Sequence, residues 1–176
     1  IMFLNKLGSK INFNGRTITI YANKFKSSNI SHEVIFDRIE LGTYMIACAL
    51  LVKKNIIIDK IDPKIVKNEI NILKTIGVKI VIKKSSIIIK KNKKLKKINI
   101  TTKPYPGFPT DLQAQLMVLL TQVEGVSKIK ENIFENRFMH VAELRRLGAK
   151  INVKNNKAYI HGNTKFIAAE LMSSDL

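Results

Sequence analysis

One carboxylate in this chain is delivered by an unusual approach. The run Pro104-Tyr105-Pro106-Gly107-Phe108-Pro109-Thr110-Asp111 places three prolines and a glycine within six residues, which excludes regular helix and sets a stiff, extended or turned path. Behind it Leu112, Leu116, Leu119 and Leu120 recur at helical spacing, so Asp111 stands at the mouth of a helix. Thr110 and Asp111 both offer N-cap oxygens. A carboxylate so placed caps its helix, or is held out by the rigid loop to a ligand, and spacing alone leaves both readings open. Other reactive side chains are sparse. Cys48 is the one cysteine and lies in the apolar run Met45-Ile46-Ala47-Cys48-Ala49-Leu50-Leu51, which reads as core rather than as an activated thiol. His32, His140 and His161 are scattered, with no metal-ligand spacing between any two. No metal site and no cofactor is expected.

The bulk composition narrows the classes. At 176 residues and 45% apolar composition the chain is long enough for one sizeable core or two small ones. It contains neither a membrane-length apolar run nor a signal-peptide pattern, and a reducing cytoplasm suits its single cysteine. The net charge of +18 invites a nucleic-acid reading. Only Arg16, Arg38, Arg137, Arg145 and Arg146 are arginine, however, and the lysines travel with Ile and Asn, as in Lys90 to Lys97. Base readers favour Arg for bidentate contacts and aromatics for stacking. The lysines read as a solvated surface shaped by AT-rich codons, and neither nucleic acid nor membrane is expected as a partner. Both ends read as cut, Ile1 to Leu7 as the end of a helix and Asp175-Leu176 as the start of one, so a fragment of a longer protein is expected.

An internal repeat supplies the architecture. Leu4-Asn5-Lys6-Leu7-Gly8-Ser9-Lys10-Ile11 returns as Leu73-Lys74-Thr75-Ile76-Gly77-Val78-Lys79-Ile80 and as Leu144-Arg145-Arg146-Leu147-Gly148-Ala149-Lys150-Ile151, a period of about 70 residues. In each copy a helix ends, the Gly takes a left-handed position, and a strand begins. Hairpins follow: 9–13 with 17–21 about Asn14-Gly15, 78–82 with 87–90, and 149–153 with 158–161 about Asn155-Asn156. In phase with them an Asp opens a helix: Asp37 before 39–51, Asp111 before 112–123, and Asp175 at the end. Strands over 55–58 and 125–129 and helices over 63–76 and 138–147 complete the units, with a further strand at 97–101. Residues 1–22 read as the tail of a repeat unit from a first domain, 23–36 as an inter-domain linker, and 37–176 as two units and the start of a third in a second domain. The fold class is α/β, with short parallel strands alternating with helices, helices inside and sheets outside. The 44–52 stretch, apolar nearly all round, is expected to be buried.

Four stretches carry a family resemblance. Tyr105-Pro106-Gly107-Phe108-Pro109-Thr110-Asp111-Leu112-Gln113-Ala114-Gln115 resembles one signature of the UDP-N-acetylglucosamine enolpyruvyl transferase (1-carboxyvinyltransferase) family, and Asn132-Ile133-Phe134-Glu135-Asn136-Arg137-Phe138-Met139-His140 resembles a second. Asp37-Arg38-Ile39-Glu40-Leu41-Gly42-Thr43 and Met172-Ser173-Ser174-Asp175-Leu176 resemble two more, and the match is colinear over nearly the whole chain. The resemblance implies an inside-out α/β barrel of repeated helix-strand-helix-hairpin units, of which this chain holds part. It implies transfer of enolpyruvyl from phosphoenolpyruvate to the 3-hydroxyl of UDP-N-acetylglucosamine with release of phosphate, the first committed step of peptidoglycan synthesis. Such addition and elimination needs a base for the hydroxyl, an acid for the enol carbon, and cations for phosphate and carboxylate.

By the same resemblance Asp111 is the catalytic carboxylate against the sugar hydroxyl. A helix N-terminus stabilises the ionised form, which favours orienting that hydroxyl over deprotonating it. Asp111, Ile133 and Phe134 are implied to bind the nucleotide sugar, and Arg137, Asp175 and Asp37 to line or support the site. Arg137 could equally pair with Asp37 or Glu135 to hold its loop. The family's usual acid, a cysteine on a mobile loop of the other domain, has no match in Cys48, so the remainder of the protein is expected to complete the site and this piece alone to be inactive. The alternatives are the sibling family acting on shikimate 3-phosphate, a non-catalytic basic module binding nucleic acid or anionic membrane, and a degenerate remnant of the enzyme.

Overall fold

The computed structural model describes residues 1–23, 29–92 and 94–172. The chain divides into two units, Ile1–Phe36 and Asp37–Leu176. In the first, helix α1 (Met2–Lys6) leads into a two-stranded antiparallel hairpin of β1 (Lys10–Asn14) and β2 (Thr17–Tyr21), registered Lys10 against Tyr21 and Asn14 against Thr17. Gly15 takes the positive φ that the tight turn requires.

The second unit opens with α2 (Arg38–Leu51), whose N-cap is Asp37. Its carboxylate accepts from the amides of Ile39 at 2.7 Å and Glu40 at 3.3 Å. Then come β3 (Ile56–Asp59), α3 (Lys67–Ile76), the hairpin β4 (Lys79–Ile82) and β5 (Ser86–Lys90), and β6 (Asn99–Thr101). The Pro-rich stretch closes in a single 3-10 turn at Thr110–Leu112, and α4 (Gln113–Thr121) follows. The remainder is β7 (Val126–Lys130), α5 (His140–Arg146), and the hairpin β8 (Lys150–Lys154) and β9 (Lys157–His161). Helices α3 and α5 are shorter than the pattern predicts. The lost ends, 63–66 and 138–139, are turn: the amides of Ile65 and Lys67 bond the carbonyls of Asp62 and Lys64, and those of Val141 and Ala142 bond Phe138 and Met139, all at i to i+3.

The repeat is visible in the hydrogen bonds. Gly8, Gly77 and Gly148 all have φ between 94° and 104°. At each, the amide after the glycine bonds back to the first leucine of the pattern: Ser9 to Leu4, Val78 to Leu73, and Ala149 to Leu144, at 3.0, 2.9 and 3.0 Å. This is the Schellman closure that satisfies a helix's last carbonyls. The residue after that leucine also has a repeated task. Asn5 bonds both the amide and the carbonyl of Ile11, and Arg145 donates twice to the carbonyl of Ile151.

The strand directions correct one expectation. Sheet β3-β5-β4 is antiparallel throughout, and in sheet β6-β7-β9-β8 only β6 and β7 run parallel. Short hairpin links, 83–85 and 155–156, force antiparallel neighbours; only the crossover through α4 joins a parallel pair. Helix α2 packs on β5, α4 packs on β7 and β9, and the two helices pack on each other. Leu41, Met45, Ile46 and Ala49 on α2 and Leu116, Met117, Leu119 and Leu120 on α4 are buried in this packing. The expectation that 44–52 is buried all round fails. Tyr44 and Leu51 are exposed, because α2 is covered on one side only among the described residues, and Cys48 is half-buried with its thiol pushed up by burial.

Gly42 is a tight point of the contact between α2 and the turn before α4. A Cβ there would run into the Cδ1 of Leu112, itself fully buried one residue from Asp111. Gly42→Ala is expected to destabilise the protein by about 1–3 kcal/mol through overpacking, even though alanine favours helix, and denaturant unfolding of the full-length variant checks the sign.

Candidate functional site

The site residues come from two loops at one end of the four-stranded sheet. The first runs from the end of β6 to α4. Thr102 bonds through its amide to the carbonyl of Lys130, and Lys103 to that of Phe108, which turns the Pro-rich segment back on itself. Phe108 is buried as its anchor. The second loop follows β7 and leads to α5.

Asp111 does not cap its helix. It lies inside the 3-10 turn, α4 begins at Gln113 with no side-chain cap, and the Asp111 carboxylate instead accepts from Arg137 Nη2 at 2.9 Å. The capping reading therefore gives way to a charge-assisted bond across 26 residues of sequence. The expected partners of Arg137, Asp37 and Glu135, are replaced by Asp111. Asp111 remains about half exposed (52%) while Arg137 is largely buried (16%), so the carboxylate faces outward and the guanidinium backs it. Such a pair adds about 1 kcal/mol or less to stability, and its main effect is orientation. The Arg137 guanidinium also stands 5.4 Å over the exposed Phe134 ring.

Both loops rest on Glu131. This side chain is 2% exposed and has no cation beside it among the described residues. Its Oε1 accepts from the Thr102 hydroxyl at 2.8 Å and from the amides of Ile133 at 2.8 Å and Phe134 at 3.3 Å. Its Oε2 accepts from the Thr110 hydroxyl at 2.9 Å and from Gln113 Nε2 at 3.3 Å. Burial pushes its pKa up, but the hydrogen bonds from Ile133, Thr102, Thr110 and Phe134 together hold it below the usual glutamate value, so it is ionised. Sequence reasoning passed over Glu131. No local pattern signals it, because its side-chain partners lie 18 to 29 residues away.

A cleft of about 790 Å³ opens beside the second loop, lined by Ile133, Phe134, Arg137, Phe138, Met139 and Val153 among others. Of the expected site residues, Ile133, Phe134 and Arg137 line it, and Asp111 is joined to it through Arg137. Asp37 is not part of this cluster: it caps α2. Its neighbour Arg38 pairs with buried Glu69 at 3.1 Å and lies 5.2 Å over the ring of Tyr105 in the Pro-rich loop. Burial raises the Glu69 pKa, with Arg38 pulling against it. Asp175 lies outside the described residues. Among the described residues no three His, Cys, Asp or Glu side chains converge as metal ligands, and no helix is long and apolar enough to cross a membrane.

Comparison with known proteins follows the geometry. The model of the EPSP synthase (3-phosphoshikimate 1-carboxyvinyltransferase) family matches residues 1–176. The enolpyruvyl transferase NikO from Streptomyces tendae superposes with a TM-score of 0.79 at 25% identity, over 93% of this chain and 39% of that one. EPSP synthase from Acinetobacter baumannii gives 0.67 at 19% identity, over 92% and 39%, a likeness of fold. The chain thus has the α/β fold of the enolpyruvyl transferases. It belongs to the EPSP synthase family. Within it, the chain is 56% identical over 178 residues to the UDP-N-acetylglucosamine 1-carboxyvinyltransferase of Pelagibacter ubique (strain HTCC1062), covering 100% of this chain and 42% of the relative. It is 40% identical over 180 residues to UDP-N-acetylglucosamine 1-carboxyvinyltransferase 2 of Carboxydothermus hydrogenoformans, covering 99% and 42%. The chain spans about two fifths of the length of these curated relatives.

His140, at the start of α5, has both ring nitrogens buried without a hydrogen-bond partner. Burial, and then the nearby Arg137 charge, bring its pKa down from 6.5 to about 4. The folded ring therefore stays neutral where the unfolded one takes up a proton, so stability falls as pH drops from 6.5 toward 4. Replacing His140 with Gln is expected to flatten the fall in melting temperature between pH 6.5 and 4.5. Melting curves of both full-length proteins across that range provide the check.

Proposed function

We propose that the full-length protein containing this chain transfers enolpyruvyl from phosphoenolpyruvate to the 3-hydroxyl of UDP-N-acetylglucosamine, releasing phosphate, and so serves peptidoglycan synthesis in the cytoplasm. Supporting this reading are the extent of identity to relatives named for that reaction and one geometric observation. The carboxylate of the first signature is not spent on a helix cap but is turned outward and held by the arginine of the second.

In the proposed reaction the sugar oxygen adds to C2 of phosphoenolpyruvate while C3 takes a proton. The C2–O bond to phosphate then breaks, and C3 gives up a proton to restore the double bond. Asp111 accepts the hydrogen bond of the 3-hydroxyl and orients it, taking the proton only as the forming C–O bond makes that proton acidic, with Arg137 fixing which way the carboxylate points. Ile133 and Phe134 bind the nucleotide sugar beside it. Asp175 lines the site near the reacting centre. Asp37 supports the site indirectly, by capping the helix whose next residue, Arg38, stacks on Tyr105. The acid for C3 and the cations for phosphate come from the remainder of the same protein. In this reading residues 1–22 close a repeat unit of one domain, 23–36 link it to the next, and 37–176 contribute two units and the start of a third to an inside-out barrel. The lysine-rich surface is a solvated one with no nucleic-acid or membrane partner.

Purified full-length protein is expected to release phosphate from phosphoenolpyruvate only when UDP-N-acetylglucosamine is present. Asp111→Ala is expected to lower kcat by about a hundredfold or more. Release that depends on shikimate 3-phosphate instead would move the protein to the sibling activity. Release that is indifferent to Asp111→Ala would remove Asp111 from the chemistry.

A further inference from the structure

We infer that Glu131 is a positioning residue for the sugar nucleotide: its carboxylate sets the backbone of Ile133 and Phe134 and the Pro-rich loop in one mutual geometry, without touching substrate. The inference rests on the function proposed above.

An ionised carboxylate is an acceptor only, and here five donors converge on it. They come from four separate segments: the end of β6, the 3-10 turn beside Asp111, the first turn of α4, and the loop after β7. Thr102 doubles the connection, because its hydroxyl donates to Glu131 and accepts from the amide of Asn132 at 2.8 Å. Among the described residues only Glu131 joins Thr110 to Ile133 by hydrogen bonds. A buried charge whose pairing is entirely by dipoles holds them tightly, since each bond to it is charge-assisted and leaving it unmet is costly. Three of its five donors are at or beside the residues proposed to meet the ligand: Ile133 and Phe134 themselves, which line the cleft, and Thr110, which precedes Asp111.

The isosteric variant separates positioning from folding. In Glu131→Gln one amide oxygen still faces the loop. The new NH2 group faces the Thr110 hydroxyl and Gln113, whose Oε1 is buried without a partner and becomes an acceptor when its amide turns over. The variant therefore keeps its hydrogen bonds on the Thr110 side and folds. What it loses is the ionic acceptor for the Ile133 and Phe134 amides.

Wild-type and Glu131→Gln full-length proteins are compared by steady-state kinetics, by titration with UDP-N-acetylglucosamine, and by amide exchange. The expected result is a rise of about tenfold in KM and Kd for the sugar nucleotide, a smaller change in kcat, and faster exchange confined to Ile133, Phe134 and their neighbours. Unchanged affinity with faster loop exchange would overturn the inference, since the brace would then not govern binding. Loss of affinity with exchange accelerated throughout the core would also overturn it, as a merely structural role. A wild-type protein that binds no sugar nucleotide would sink the proposed function itself, and with it the positioning claim; the exchange data would still report whether the brace exists.

Discussion

The candidate site is arranged around a buried negative charge with no positive partner among the described residues. A carboxylate taken out of water without a counter-ion is tolerated only when its lone pairs are filled by well-placed dipoles. Glu131 meets that condition with two hydroxyls, one side-chain amide and two backbone amides. The requirement works in both directions. The carboxylate stays ionised because the donors are there, and the donors are fixed because the carboxylate must be satisfied. The exposed pair of Asp111 and Arg137 is built on that base. Being weakly held by itself, it depends on both loops already standing at the right separation.

Beneath the loops lies a repeated scaffold. Three left-handed glycines with the same backward hydrogen bond end three helices in the same way, and each passes into an antiparallel hairpin. The two helices α2 and α4, which open successive units, form the core by packing on each other and on one sheet each. The scaffold treats the units as equivalent; the chemistry does not. After β3 the chain reaches α3 through a short turn at 62–67, whereas after β7 it runs through Glu131 to Met139 and lines a cleft. Likewise α2 begins with an ordinary aspartate cap at Asp37, whereas the corresponding aspartate before α4 is released from capping by the 3-10 turn. The candidate site lies where the repeat is broken, and a site so placed leaves the core of the fold unaltered.

The repeat, the helix stops, the hairpins and both loops were legible in the sequence, because each depends on neighbours within a few residues: Gly after a helix, Asn-Gly in a turn, leucines on one helical face. Asp111 stood out by its Pro-rich approach and helical spacing, whereas Ile133, Phe134 and Arg137 were singled out only by the resemblance of their stretch to a family signature. What those residues touch was decided by tertiary structure alone. Asp111 could cap or could face outward by its spacing; the 3-10 turn and the guanidinium of a residue 26 positions on decided it. Strand direction followed from which hairpins share a sheet, and the exposure of Tyr44 and Leu51 from what lies over α2. Glu131 is the clearest case. In the sequence it is one acid after a lysine, and only the fold brings Thr102, Thr110 and Gln113 to it. A buried charge is recognised by the dipoles gathered around it, and those come from parts of the chain that periodicity and spacing do not connect.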